Sequence, residues 1–186
     1  GSVAALSGAL GAALAAMVAN LTVGKKGYEA AWAEMSALAV EGQRVKDALV
    51  RAVDEDTAAF NDLMEAMKLP KATDAQKAAR DAAMQEGYKK AAAVPLETAR
   101  VCVEAISLCE RAAAKGNANS ASDAGVGALL ARAGAEGAAL NVLINLGSIT
   151  DAAFVADLKA RAQALVAEAE AAKEKVLALV GKSIGA

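Results

Sequence analysis

The stretch that decides the fold is Val3–Val23, which reads VAALSGALGAALAAMVANLTV and contains no charged residue. Its length fits either a membrane-spanning helix or a helix buried at the centre of a protein. About half of it is alanine and glycine, which contribute little to membrane insertion, and Ser7, Asn20 and Thr22 interrupt it. No basic segment precedes it, as a secretory signal would require. We therefore predict a buried central helix and no membrane partner.

Small side chains along this stretch predict that another helix packs closely against it, because they leave room for a neighbouring backbone. The residues concerned are Ser7, Gly8, Gly11 and Ala12. A helix that is apolar on all sides also needs neighbours on all sides. One chain of 186 residues supplies few neighbours, which favours a dimer.

The composition predicts an all-α fold. Apolar residues make up 56% of the chain and aromatic residues only 3%, with alanine the commonest type. A β-sandwich or barrel would need more β-branched and aromatic residues and more frequent turns. Disorder is excluded because so much apolar surface is available for burial.

Several functional classes are excluded by the charged and nucleophilic residues. The net charge is −2 and no long basic run occurs, so nucleic acid is not an expected partner. The chain has no histidine, which removes Ser-His-Asp and Cys-His catalysis and the commonest metal ligand, so no metal is predicted. Cys102 and Cys109 would lie roughly 10 Å apart along a helix, beyond disulfide reach. Two free thiols favour a reducing, cytoplasmic compartment.

We predict a single domain over residues 1–186, formed by a bundle of about five long helices with Ala/Gly-rich packing. The predicted helices cover 3–23, 28–68, 74–115, 124–146 and 151–180. Thr73 or Asp74 is the expected cap of the third helix, and Ser122 that of the fourth. The third helix contains Pro95, which leaves the carbonyl of Ala91 without its usual donor.

One carboxylate in the second helix is placed on an apolar face. The apolar positions of that helix are Leu38, Val45, Leu49, Val53, Phe60, Met64 and Met67. Asp56 fills the gap in this series, whereas Asp54 and Glu55 are rotated away from it. A buried carboxylate must be paired or protonated, and burial favours the protonated form. Asp56 is therefore either a general acid or base, or one half of a core ion pair with Arg or Lys.

Two further regions carry polar groups. Asn141 and Asn145 lie four residues apart in an apolar segment and would either bind a heterocycle or tie two helices together. The turn over 116–123 brings Asn, Ser and Asp side chains to a helix start, where they would bind a polar ligand or simply cap the helix. The proline could mark a cavity or merely follow the curvature of the bundle.

Taken together, motifs along the whole chain resemble a known family. They are Gly1–Gly11 (GSVAALSGALG), Val53-Asp54-Glu55-Asp56, Met67-Lys68-Leu69-Pro70, Val94-Pro95-Leu96, Gly116-Asn117, Ser122-Asp123, Asn141-Val142 and Ile144-Asn145-Leu146. The family is that of formimidoyltetrahydrofolate cyclodeaminase and methenyltetrahydrofolate cyclohydrolase. Family members usually carry a further glycine or two and a short helix before the Gly-rich opening, so the N-terminus is expected to be trimmed.

The resemblance implies an all-α domain that dimerises, binds folate near the subunit interface and, in bifunctional members, forms a larger ring with a formimidoyltransferase domain. It implies that the second Asp of Val-Asp-x-Asp, here Asp56, is the catalytic carboxylate. The substrate-binding residues that we assign with it are Ser2, Lys25, Lys26, Asn117, Ser120, Asp123, Asn141 and Asn145. Of these, the asparagines would meet the pterin and the lysines the glutamate tail.

The expected reaction is conversion of 5-formimidoyltetrahydrofolate to 5,10-methenyltetrahydrofolate and ammonia, with no tightly bound cofactor. The alternative on the same scaffold is hydrolysis of the methenyl bridge to give 10-formyltetrahydrofolate. A non-catalytic helical assembly module is the alternative of another class, since Ala-rich helix faces would suit it equally well.

Overall fold

Five long α-helices make up the computed structural model, which describes residues 1–185 and contains no strand within them. They are α1 (Ser2–Asn20), α2 (Trp32–Met67), α3 (Asp74–Lys115), α4 (Ala121–Leu146) and α5 (Ala152–Ile184). Single 3-10 turns at Glu29–Ala31 and Ala118–Ser120 precede α2 and α4. The predicted all-α class and number of helices are confirmed.

Two of the five long helices begin with a side-chain capping hydrogen bond, from Thr73 for α3 and from Asp151 for α5. Thr73 caps α3 as predicted and forms a reciprocal capping box with Gln76. The fourth helix begins earlier than predicted, because the 3-10 turn leads directly into it and puts Ser120 rather than Ser122 at the N-cap position. The first helix ends at Asn20, before the expected residue, and the chain then turns through Gly24 with φ 78°.

The helix α1 packs against α2, α3 and α4, and α3 contacts all four other helices. Its small residues allow the predicted close approach: a Cβ placed on Gly11 would lie 2.6 Å from the carbonyl oxygen of Gly127, and one on Gly8 would lie 2.4 Å from Sγ of Cys102. The helices α1, α3 and α5 run in one direction and α2 and α4 in the other. Small side chains therefore bring the three neighbours onto α1.

The two cysteines lie in the core and are free. Burial raises the pKa of both the Cys102 and the Cys109 thiol to about 12, so both stay protonated at neutral pH. They act as small apolar side chains that fill the space beside the glycines of α1 and α4.

One side of α1 is not covered by the chain. Val3 is 81% exposed, and Leu6, Leu10, Met17 and Leu21 continue the exposed apolar stripe. By length and composition, α1 (mean hydropathy 1.9) and the segment Ala118–Leu146 (mean hydropathy 1.2) could each cross a membrane, and about half of each is buried inside the structure. The helix α1 is buried where it meets α2, α3 and α4, and the uncovered side agrees with the expectation that one chain supplies too few neighbours for it. The absence of a membrane partner stays a prediction.

Beyond the start of α1 the bundle is open. The helices α2 and α4 are longer than α1 and are held apart by it, and both extend past Ser2. A gap therefore continues the line of α1 between these two helices, with α3 behind it. This gap positions the candidate site.

Candidate active site

Asp56 of α2 caps the N-terminus of α1. Its Oδ2 accepts hydrogen bonds from the backbone N–H of Ser2 at 2.9 Å and from Oγ of Ser2 at 2.8 Å. The Gly1 N-cap supplies no side chain of its own, so the carboxylate from the neighbouring helix serves as the cap at the positive end of the helix dipole. A Cβ on Gly1 would lie 2.0 Å from Oδ1, so only glycine allows this approach. Ser2 thus holds Asp56, and its assigned contact with the substrate stays a prediction.

Asp56 is partly enclosed, with 24% of its side chain exposed, whereas Asp54 and Glu55 are exposed. The predicted difference in orientation within the trio is confirmed. Within residues 1–185 no lysine or arginine pairs with Asp56, so the core ion pair is not formed there. The expectation that the carboxylate is shut away from water is wrong, because the side chain is partly exposed and lines an open cleft.

The predicted apolar face of α2 is wrong beyond Asp56. Phe60 is 59% exposed and Met64 is exposed as well, while the buried positions are Ala59 and Leu63. The reason is that α1 starts beside Asp56, so farther along α2 only α3 covers the helix, on the side of Leu63. Phe60 faces the gap and not the core.

The gap beyond the N-terminus of α1 is a cleft of about 370 Å³. Its lining residues are Asp56, Thr57, Phe60, Leu63, Ala91, Asn141, Ile144 and Asn145. The structure thus brings together the predicted carboxylate and both predicted asparagines of α4. Thr57, Phe60 and Ile144 were missed; Phe60 could have been found from its position four residues after Asp56, on the same side of the helix.

The side chain of Asn145 is held by a backbone carbonyl of α3 that Pro95 leaves without a helical donor. Its Nδ2 donates to the carbonyl oxygen of Ala91 at 3.0 Å, the acceptor that Pro95 leaves without a helical donor. The same Nδ2 lies 2.9 Å from the carbonyl oxygen of Asn141 and 3.2 Å from its Oδ1. Because every neighbour of Nδ2 is an acceptor, the orientation of the amide is determined. The tie between helices is confirmed, and the carbonyl that Pro95 leaves without a helical donor belongs to Ala91, which lines the cleft.

The amides also keep hydrogen-bonding capacity for a ligand. Oδ1 of Asn145 and Nδ2 of Asn141 have no partner in the part of the chain that the structure describes. No buried side-chain nitrogen or oxygen there lacks a partner, so both atoms are accessible to solvent. Together with Asp56, the cleft offers one neutral acceptor, one donor and one carboxylate.

The other predicted binding residues lie at the opposite end of the bundle. Lys25 and Lys26 follow the C-terminal end of α1, a helix about 28 Å long at 1.5 Å per residue, whereas Ser2 lies at its start. The 116–123 turn lies at the same end, since the backbone N–H of Asn117 donates to Oγ1 of Thr22 at 2.8 Å. The structure therefore does not bring these residues to Asp56 within one chain.

The side chains of the turn are largely occupied. Asn117 and Ser120 are buried, and Nδ2 of Asn117 lies 3.5 Å from Oγ of Ser120. Oδ1 of Asn117 accepts from the backbone N–H of Asn119 at 3.1 Å. Asp123 is half-buried in the first turn of α4. These contacts close the turn on itself, and Ser120 at the N-cap position of α4 makes no side-chain capping hydrogen bond. The role of the turn in substrate binding stays a prediction. No cluster of three possible metal ligands occurs among residues 1–185.

The fold with its carboxylate-bearing cleft matches a known class of helical protein. The crystal structure of formiminotetrahydrofolate cyclodeaminase from Thermotoga maritima aligns with a TM-score of 0.87 and 31% identity, covering 98% of this chain and 87% of that one. Methenyltetrahydrofolate cyclohydrolase of Methylorubrum extorquens is 44% identical over 99% of this chain and 88% of its own length. Formimidoyltransferase-cyclodeaminase of Sus scrofa is 41% identical over 95% of this chain, which spans only 33% of the pig protein.

The sequence profile of the formiminotransferase-cyclodeaminase family matches residues 1–164. The chain belongs to that family. The resemblance stated from the motifs is therefore confirmed.

Proposed function

We propose that this protein is an enzyme of folate one-carbon metabolism that converts 5-formimidoyltetrahydrofolate to 5,10-methenyltetrahydrofolate and ammonia. The observation that supports it most directly is the position of Asp56, the aspartate indicated by the motif, at a cleft large enough for a substrate ring. Family membership and the cyclodeaminase of matching fold support the choice of substrate.

Asp56 would act as the general acid. N10 attacks the formimidoyl carbon, the N10–C bond forms, and the N10 proton passes to the former imino nitrogen, which becomes an amino group. The departing nitrogen must be protonated, because amide anion is a very poor leaving group, and it then leaves as ammonia to give the methenyl cation. Ser2 occupies Oδ2, so Oδ1 is the oxygen that delivers the proton. A positioned acid of this kind contributes roughly 10²–10⁴-fold to the rate.

The remainder of the cleft suits a polar heterocycle. Phe60 presents an exposed aromatic face on which a planar ring can stack. Oδ1 of Asn145 would accept from a ring N–H or amino group, while Nδ2 of Asn141 would donate to a ring carbonyl. A pterin carries these groups side by side, which is why the asparagines keep their proposed role.

The second candidate is hydrolysis of the methenyl bridge, favoured by the name of the Methylorubrum relative. The partial exposure of Asp56 would admit the attacking water, and the carboxylate would then act as general base. We rank it second, because the matching solved structure is a cyclodeaminase.

Two assays separate these reactions. Purified protein is given 5-formimidoyltetrahydrofolate in one and 5,10-methenyltetrahydrofolate in the other, and the methenyl absorbance is followed together with ammonia release. Appearance of the chromophore with stoichiometric ammonia supports cyclodeamination, and its loss in the second assay supports hydrolysis. Activity in neither assay would contradict the proposal and favour the non-catalytic assembly module.

We also propose that the protein is a homodimer whose interface includes the exposed face of α1. This face is about 28 Å long and, with the adjoining face of α4, on the order of 600 Å². That is at the upper limit of apolar patches on monomers and approaches the ~800 Å² per partner of a standard interface. Leu10→Glu should give a folded monomer, as measured by light scattering and circular dichroism. A dimer of unchanged stability would contradict this interface.

A further inference from the structure

A hydroxyl group lies in the wall of the cleft directly after Asp56 in the chain. It belongs to Thr57, and both side chains line the cleft. Oγ1 of Thr57 donates to the carbonyl oxygen of Val53, one helical turn earlier, at 3.1 Å. This bond selects one of the χ1 rotamers that a helical threonine can adopt. The oxygen is therefore held in place on α2, although the side chain is exposed to solvent.

The bond to Val53 makes Oγ1 of Thr57 a hydrogen-bond acceptor for a ligand. A hydroxyl has one hydrogen and two lone pairs, and here the backbone carbonyl takes the hydrogen. No donor within residues 1–185 contacts this oxygen, so its lone pairs are available. Thr57 thus adds a second neutral acceptor to that of Asn145, and it does so on the helix that carries the acid.

Asp56 and Thr57 are neighbours that do not bond to each other. Consecutive side chains on a helix diverge by about 100°, so the two side chains flank one place in the wall of the cleft. Oδ2 of Asp56 is held by Ser2 at 2.8 Å, whereas Oγ1 of Thr57 is held by its own helix. A small group that enters the place between them can contact the carboxylate and the hydroxyl at the same time.

The leaving nitrogen of the proposed reaction is such a group. After ring closure it is an amino group with one lone pair and two hydrogens. The lone pair takes the proton of Asp56, and the electrons of the C–N bond then depart with ammonia while a ring nitrogen forms the new C=N bond. Positive charge develops on the leaving nitrogen as it is protonated. An acceptor for one of its N–H groups stabilises that charge and turns the lone pair toward the acid.

We propose that Thr57 is a second catalytic residue, whose Oγ1 accepts a hydrogen bond from the leaving nitrogen while Asp56 protonates it. This inference rests on the proposed function, but it holds for either of the two candidate reactions. In the hydrolysis, the attacking water takes the place of the leaving nitrogen. One O–H of the water then gives its proton to Asp56, and the other donates to Thr57.

Thr57→Val tests the inference, because valine has nearly the same shape but cannot accept a hydrogen bond. On the folate that the wild type converts, kcat should fall by about ten- to a hundredfold with KM little changed, since the bond strengthens only in the transition state. Thr57→Ser keeps the oxygen and should retain most of kcat. Thr98→Val is the matched control: Thr98 also donates to the carbonyl oxygen four residues earlier, at 3.3 Å, but lies outside the cleft. It should keep the wild-type kcat.

A background without the acid separates catalysis from packing. In Asp56→Asn no proton reaches the leaving nitrogen, so adding Thr57→Val should lower kcat little further. Circular dichroism checks that each variant is folded. An unchanged kcat of Thr57→Val, a change confined to KM, an equal loss in Thr57→Ser or a full further loss in the Asp56→Asn background overturns the inference. Wild-type protein inactive on both folates would instead refute the proposed function, and this inference with it.

Discussion

The two ends of the bundle contain similar polar residues but are built differently. At one end α1 stops short of α2 and α4, and Asp56, Asn141 and Asn145 lie half-buried around an open cleft. At the other end two turns close over the bundle, and Thr22 and Asn117 are buried and bonded to each other. A polar residue between apolar neighbours is thus compatible with a binding site or a structural tie. What separates the two is whether the side chain keeps free hydrogen-bonding capacity that solvent can reach.

The largest expected effect distinguishes the cleft from its surroundings. Asp56→Asn should reduce kcat by about 10²–10⁴-fold, because the amide can still accept from Ser2 but cannot deliver a proton. The fold should persist, as checked by circular dichroism and thermal unfolding. Asp54→Asn, an exposed neighbour, is the control and should keep near wild-type kcat. An active Asp56→Asn variant would remove Asp56 as the acid.

The close contact between α1 and α4, midway along the bundle, should lower the free energy of unfolding when a methyl group is added to it. Gly11→Ala would place Cβ 2.6 Å from the carbonyl oxygen of Gly127 and should lower the free energy of unfolding by about 2–3 kcal/mol. Gly137→Ala makes the same change on α4, but its Cβ meets only Cβ of Ala4 at 3.4 Å. It should change stability by less than about 1 kcal/mol. Urea denaturation measures both, and equal losses would contradict the packing described.

At the closed end, removal of the hydrogen bond between Asn117 and Thr22 should lower the free energy of unfolding. Oγ1 of Thr22 donates to the carbonyl oxygen of Val18 at 2.7 Å and accepts from Asn117. Thr22→Val keeps the shape but leaves the buried N–H of Asn117 without an acceptor, which should cost about 2 kcal/mol. Thr22→Ser, which retains the hydroxyl, is the control. If the valine variant were as stable as the serine variant, the tie would not stabilise this end.

The smallest expected effect tests whether Asn145 is both a ligand-binding residue and a structural tie between α3 and α4. Asn145→Ala should cost about 1 kcal/mol, because the carbonyl of Ala91 loses its donor. In a Pro95→Ala background, residue 95 regains an N–H that can donate to that carbonyl, so the cost should vanish. The rise in KM expected from the lost pterin contact should persist in both backgrounds. A stability loss that is equal with and without Pro95 would refute the proposed origin of the tie.

Much of the cleft could be predicted from the sequence, because helical periodicity relates residues that lie close in the chain. It distinguished Asp56 from Asp54 and Glu55, and it identified the orphan carbonyl of Ala91. Periodicity predicted that Phe60 and Met64 are buried, but both are exposed. The apolar face of α2 continues past Asp56, whereas α1, which covers that face, begins beside Asp56 and does not reach them. Periodicity also could not separate the lysine end from the carboxylate end, since motif order carries no information about distance across a bundle.

The five helices, the close packing at their glycines and the family could all be recognised from the order of the residues. These follow from local propensity, from side-chain volume and from motifs spread over the chain. Only the tertiary structure decided that Asp56 lies at an opening and that Asn145 satisfies the α3 carbonyl. It alone decided that Lys25 and Lys26 lie at the far end of α1. The physical reason is that exposure and distance depend on where one helix ends relative to its neighbours, which is a property of the whole assembly.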